Sequence, residues 1–343
     1  MYKSIKSPHT RNEVYKMKKK LTIILILFLL PFQILAYSNN IIVGGDSIGI
    51  EIYSKGIYVV GFYPVNNHYI AKEAGFQIGD RILKINNEEI KSLNTINQYI
   101  KEEEDYIFTI IRDNKEQEIT LPLKKEDNTY KTGLYIKNQI NGIGTLSYID
   151  PETKIYGALG HEIIESSSFQ KFIINSGNIY KAEVNSIRKS DNETAGEKNA
   201  TMIKEKEYGT INKNETSGIF GTYLEKIDNK EILPIGKKEE IKKGKAFIRT
   251  VIKENTIESF PINIIKVEEN EENKNILFEI KDDNLLKETG GIVQGMSGSP
   301  IIQNNKIIGV VNYVIVEDAK YGYGIFIETM LEEGDKLLSK TSS

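Results

Sequence analysis

The residues best suited to chemistry lie in one run, Gly295-Met296-Ser297-Gly298-Ser299-Pro300, which follows Gly290-Gly291-Ile292-Val293-Gln294 and leads into Ile301-Ile302-Gln303 and an Asn304-Asn305 turn. A serine hydroxyl between glycines suits acyl transfer. Gly295 lets the backbone approach a ligand closely, so the N–H groups of Gly295 and Ser297 can aim at a developing oxyanion. Gly298 relieves crowding behind the hydroxyl, and Pro300 fixes the exit toward the next strand. Ser299 is a second hydroxyl, but it lies past those donors. A hydroxyl is a weak nucleophile until a base takes its proton. The chain has three histidines. His9 sits in an unpatterned polar stretch and His68 in a polar loop. His161, in Tyr156-Gly157-Ala158-Leu159-Gly160-His161-Glu162, closes a predicted strand and is the one histidine placed to be that base. Such a base needs a carboxylate to hold its tautomer; Asp150, Asp191, Asp228, Asp282 and Asp283 are all candidates. Glu162 reads as a solvated charge at the strand end.

Around these residues, 126–343 is a succession of short apolar runs separated by turns, the pattern of an all-β barrel or sandwich. Residues 186–217 are rich in Lys, Glu, Asn and Thr and read as a solvated loop. Residues 328–339 read as a closing helix. Upstream, 41–125 has a different grammar. Ser47-Ile48-Gly49-Ile50 has the form x-apolar-Gly-apolar, in which Gly49 would let successive N–H groups converge on a carboxylate while the next strand pairs with an added peptide. Ala74-Gly75-Phe76-Gln77-Ile78-Gly79-Asp80-Arg81-Ile82-Leu83-Lys84-Ile85-Asn86-Asn87 follows, with turns at Gly79-Asp80 and Asn86-Asn87 around a short strand. A helix over 93–100, capped by Ser92 or Asn94, completes the unit. Together these strings resemble a PDZ domain.

Lys18, Lys19 and Lys20 precede residues 21–36, where 13 of 16 are apolar and Thr22, Pro31 and Gln33 are the exceptions. That is the pattern of an export segment. At about 1.5 Å per helical residue it spans roughly 24 Å, short of a bilayer core of roughly 30 Å, which favours a signal peptide over a permanent anchor. Met17 is an alternative start. With 45 Lys+Arg against 48 Asp+Glu, the net charge of -3 offers no basic field for nucleic acid. The absence of Cys removes disulfides, thiolate nucleophiles and zinc-thiolate sites, and three His make His-rich metal sites improbable. No metal and no cofactor is expected.

The Gly-x-Ser-Gly-x-Pro segment and its following hairpin resemble the nucleophile region of chymotrypsin-like serine peptidases. Taken whole, the chain resembles the SpoIVB peptidase family (stage IV sporulation protein B), through Gly142 to Gly144, Tyr156 to His161, Gly196-Glu197-Lys198, Gly218-Ile219-Phe220-Gly221 and Leu285 to Pro300. The resemblance implies a mainly β chain: an N-terminal hydrophobic helix within 1–40, a PDZ-like α+β domain over 41–125, and a chymotrypsin-like double β-barrel over 126–343. It implies Ser297 as nucleophile, His161 as base and Asp282 as acid, although the fifteen-residue step to Ser297 departs from the usual barrel-peptidase spacing and neighbouring Asp283 would face the other way on a strand. The expected oxyanion donors are Gly295 and Ser297, and the expected peptide-binding loop is Ser47, Ile48, Gly49 and Ile50. The biology implied is an exported or tethered endopeptidase of spore formation, between forespore and mother cell. It would cleave a membrane-associated regulator and so activate a late mother-cell sigma factor, its PDZ groove holding a partner's or its own C-terminus. Asn312, beside Tyr313, would wall an uncharged primary pocket. The competing readings are a non-catalytic PDZ scaffold and an envelope quality-control protease.

Overall fold

The computed structural model describes residues 37–90, 92–191 and 194–338; the predicted export segment lies outside them. No helix among the described residues is long and apolar enough to cross a membrane. The fold is mainly β, with a PDZ module ahead of a peptidase unit in which one of the two expected barrels closes and the other is an open half-barrel sheet. Its spine is two strands of 16 residues, Ser47–Phe62 and Leu134–Ile149. They pair antiparallel twice: Ser47 to Tyr53 with Thr145 to Gln139, and Tyr58 to Phe62 with Lys137 to Leu134. The register shifts between the two stretches, where Gly56 adopts φ +90°, a conformation any Cβ would strain.

Each spine strand thus begins in one module and ends in the other. The segment between them forms the PDZ module, with strands Arg81–Ile85, Asp105–Arg112 and Lys115–Pro122 and helices Ile70–Glu73 and Leu93–Tyr99. Its core gathers Ile57, Val59, Phe76, Ile82, Ile85, Ile96, Phe108, Ile110, Leu121 and Leu134. The predicted helix is present with Ser92 as its N-cap, and Asn86 and Asn87 both take positive φ, as the predicted tight turn requires. Buried Asp80 receives two bonds from Arg112, 2.7 and 2.6 Å, and one from the Gln77 N–H, so the Gly79-Asp80 turn is an ionic knot.

The expected module boundaries at 41–125 and 126–343 are displaced at both ends. Residues 47–53 lie in the peptidase sheet, and Leu134 to Lys137 complete the PDZ sheet. The expected carboxylate loop is corrected with them. Ser47, Ile48, Gly49 and Ile50 are buried, paired on one side with Thr145 to Gly142 and, from Ile48 on, with Lys181 to Ile179 on the other. Both edges are in use, so this segment cannot take a peptide as an added strand. Gly49 lacks a side chain for a packing reason: a Cβ there would lie 2.5 Å from Met202.

The first peptidase sheet is open and runs in the order Lys213–Glu215, Gly218–Thr222, Ile155–Ala158, Leu134–Ile149, Ser47–Phe62, Ile174–Arg188, Gly196–Thr210, Val293–Gln294. The expected solvated loop at 186–217 is instead the end of Ile174–Arg188 and the whole of Gly196–Thr210, an antiparallel ribbon. Its polar residues face solvent on one side, while Val184, Ala182 and Lys198 turn inward. The second unit is a closed six-stranded barrel of Gly244–Lys253, Thr256–Val267, Ile276–Ile280, Tyr321–Phe326, Lys306–Val314 and Pro300–Gln303. Consecutive hairpins with strict alternation, such as Ile276, Phe278 and Ile280 inward, build its core. The closing helix, Ile327–Asp335, buries Met330 and Leu331 against Tyr148, Phe220 and Val310, joining the two units.

Candidate active site

Ser297 stands on the loop between the two units. Gly295 and Gly298 take φ +94° and +93°, which only glycine accepts without strain. A Cβ on Gly298 would lie 2.2 Å from the Thr145 carbonyl oxygen and 2.5 Å from the Leu159 nitrogen, so the loop closes against the first sheet only because that atom is missing. The loop is fastened from both sides. The Thr145 N–H donates to the Ser297 carbonyl (3.0 Å) and its hydroxyl to the Gly295 carbonyl (2.7 Å). The Met296, Gly298 and Ser299 N–H groups donate to Val293, Val311 and Met296. None of these bonds uses the N–H of Gly295 or Ser297, the two expected oxyanion donors. Ser299 is fully buried and its hydroxyl has no partner among the described residues, whereas Ser297 lines an open cavity, which separates the two hydroxyls.

That cavity, about 590 Å³, is also lined by His161, Glu162, Tyr313, Gln294, Gly295 and an apolar wall of Ile50, Ile140, Leu159, Ile163 and Ile164. His161 reaches it because Leu159 and Gly160 both take positive φ, +72° and +73°, bending the chain sharply at the end of Ile155–Ala158. The ring is half-buried and stacks on Tyr313, centroids 5.7 Å apart. Its Nδ1 is 2.8 Å from the Glu162 carbonyl oxygen. A carbonyl only accepts, so Nδ1 carries the proton and Nε2 keeps its lone pair. Burial pulls the His161 pKa below its ordinary value, against the opposing pull of this bond and of the Glu162 charge. The shift favours the neutral ring, the form a base needs.

The Ser297 hydroxyl donates to the Asn312 carbonyl at 3.3 Å rather than to the imidazole. The Asn312 side chain is buried and bonds to the Asn273 carbonyl, so Tyr313, not Asn312, walls the cavity. Asp282 is not brought to His161. It is the N-cap of Asp283–Thr289 and accepts from the Leu285 N–H at 2.7 Å, while Asp283 is the first residue of that helix. Among the described residues no carboxylate is hydrogen-bonded or ion-paired to the His161 ring; the position an acid would take at Nδ1 belongs to the Glu162 main chain.

One further residue of the site carries no chemical signal in the sequence. Lys198 is buried, its stem 3.1–3.2 Å from where a Gly295 Cβ would stand, and its Nζ donates to the Thr250 hydroxyl at 2.9 Å. Among the described residues no carboxylate is paired with it, and burial drives its pKa down to about 7. The one signal was its place in the Gly196-Glu197-Lys198 string; only the three-dimensional packing shows it against Gly295 in the Ser297 loop.

A hydroxyl on a glycine-bounded loop, a histidine with a free Nε2 in the same cavity, and an open half-barrel sheet meeting a closed barrel at that cavity define a serine peptidase with a PDZ module. Family models agree, SpoIVB peptidase S55 matching residues 128–331 and a PDZ domain matching 61–112. The chain belongs to the SpoIVB peptidase S55 family. No curated protein matches it. Among solved structures, the active form of the Rv3671c protease from M. tuberculosis is similar at 13% identity over 57% of this chain and 74% of that chain, with a TM-score of 0.32. Its inactive form matches at 13% identity over 57% and 83%, with a TM-score of 0.30. At these TM-scores the likeness has no further bearing on this chain.

Proposed function

We propose that Ser297 is the nucleophile of an endopeptidase, with His161 as its base and the N–H groups of Gly295 and Ser297 as the oxyanion donors. The observation that carries this reading is the shared cavity of Ser297 and His161, with Nε2 unprotonated and Nδ1 anchored to the Glu162 carbonyl. In this reading the Ser297 hydroxyl leaves the Asn312 carbonyl and donates to Nε2 when substrate is bound. His161 takes the hydroxyl proton as the acyl bond forms and returns it to the leaving amine. The nearby Glu162 charge stabilises the transient imidazolium. The apolar wall favours a hydrophobic side chain beside the scissile bond.

Membership in the family supports the wider reading: an exported or membrane-tethered enzyme of spore formation. It acts on a membrane-associated regulator whose cleavage leads to activation of a late mother-cell sigma factor, and the PDZ module takes part in recognition. A fluorophosphonate probe tests the chemistry. Covalent labelling of the parent chain, lost in Ser297→Ala, is expected; an intact fold without labelling would mean a PDZ scaffold.

A further inference from the structure

The long strand Leu134–Ile149 has two unequal halves. From Leu146 on it runs between Asn40–Val43 on one side and Ile155–Ala158 on the other. From Leu134 to Ile143 it pairs only with Ser47–Phe62, and among the described residues no strand covers the opposite edge. The Thr145 N–H points to that open side, where it meets the Ser297 carbonyl. By alternation, the N–H and C=O groups of Ile143, Asn141 and Gln139 point the same way.

This edge starts at the catalytic cavity, which Ile140, Gly142 and Ile143 line. A Cβ on Gly142 would meet nothing within 4 Å, so the space over the strand is open there. The edge ends inside the PDZ module, where Leu134 and Ile136 pack with Leu93, Ile96 and Ile100 around helix Leu93–Tyr99. The direction follows from the chemistry. His161 must give its proton to the leaving amine, so the substrate half that follows the scissile bond departs on the His161 side, where this strand lies. Running from Ile143 toward Leu134, that half is antiparallel to the strand and adds to it in the manner of an extra β-strand.

We propose that the open edge from Ile143 to Leu134 is a binding track for the substrate polypeptide on the C-terminal side of the scissile bond, carrying it from the cavity to the PDZ helix. This rests on the peptidase reading and adds where the substrate runs and in which direction. At about 3.4 Å per residue, the track takes roughly eight to ten residues.

The test uses synthetic peptides built around a bond that the enzyme cuts in β-casein, with the half before the bond fixed and the half after it lengthened from two to ten residues. kcat/KM is expected to climb by about tenfold or more up to roughly eight residues, chiefly through KM, since each added main-chain bond strengthens binding modestly. N-methylation along that half is expected to reduce the rate at every second position, the signature of a strand. Gln139→Pro removes one outward N–H and is expected to bring long peptides down to the rate of short ones. Gln139→Ala, which keeps that N–H but loses the side-chain bond to Glu51, leaves long peptides unaffected, and short peptides are cut equally by all three proteins. Length dependence confined to the other half, or N-methyl losses without a two-residue period, would overturn the track while leaving the peptidase standing. Absence of cleavage together with absence of fluorophosphonate labelling would overturn the reading beneath it.

Discussion

The two peptidase units contribute unequally to one site. The second is a closed barrel in which nearly every strand pairs with a sequence neighbour, and its strand Pro300–Gln303 receives the Ser297 loop as that loop leaves the first sheet. The first is an open sheet whose central strands, Ser47–Phe62 and Leu134–Ile149, are separated in sequence by the whole PDZ module, and it supplies His161. Local pairing builds a rigid platform for the nucleophile; long-range pairing makes the base depend on where the PDZ module holds two strands. The units meet through atoms that are absent, at Gly298 and at Gly160, whose Cβ would lie 2.8 Å from Val310.

The largest test removes one contribution from each unit. Ser297→Ala and His161→Ala are each expected to lower kcat by roughly four to six orders of magnitude, and the double variant by no more than the worse single one, because the pair acts as a unit. Steady-state kinetics on a casein peptide reads this out.

Breaking the seam comes next. Gly298→Val forces a Cβ against the Thr145 carbonyl at φ +93° and is expected to destabilise the chain by roughly 2–4 kcal/mol, seen in urea unfolding, with activity lost in proportion to the displaced loop.

Lys198 sharpens the comparison from beneath the loop. Its folded pKa is about 7 against an ordinary 10.5, so between those values the unfolded chain binds a proton that the folded chain does not. Stability therefore falls as pH drops from about 10.5 to 7 and levels off below. Lys198→Met is expected to gain roughly 1–4 kcal/mol at pH 7, the gain vanishing toward pH 10.5 in a series of denaturation curves.

Asp282 separates capping from catalysis. Asn caps helices as well as Asp does, so Asp282→Asn is expected to keep stability and activity, and Asp282→Ala to lose about 1 kcal/mol. A loss of roughly 10⁴ in kcat for the Asn variant would instead return Asp282 to the His161 partnership.

The smallest effect is electrostatic. kcat/KM is expected to rise with pH through a pKa below the ordinary value of 6.5, because burial favours the neutral ring. Glu162→Gln removes a charge that holds this pKa up, so the rising limb should move further toward acid. A limb displaced toward alkaline pH would contradict the assignment.

The second barrel was the more legible unit. Its alternating runs and the Asn304-Asn305 turn, both residues at positive φ, are local events that the chain encodes within a few residues. The Gly79-Asp80 and Asn86-Asn87 turns were legible for the same reason. Ser47 to Ile50 misled because an x-apolar-Gly-apolar string suits a carboxylate loop and an interior strand equally; what decides is whether its edges find partners, and those partners lie about 90 and 130 residues downstream. The ribbon at 186–217 was hidden by its polar face, which a strand exposed on one side tolerates as well as a loop does.

By itself the sequence determined the chemistry on offer, one hydroxyl between glycines and one usable imidazole, together with the β character and the PDZ signature, because these rest on residue type and short-range geometry. The tertiary structure decided which groups meet. It gave Nδ1 of His161 to a main-chain carbonyl, left Asp282 at a helix cap, set Lys198 under the loop and left one edge of Leu134–Ile149 open between the two modules. Such contacts join residues far apart in the chain, and only the closing of both units around a shared cavity fixes them.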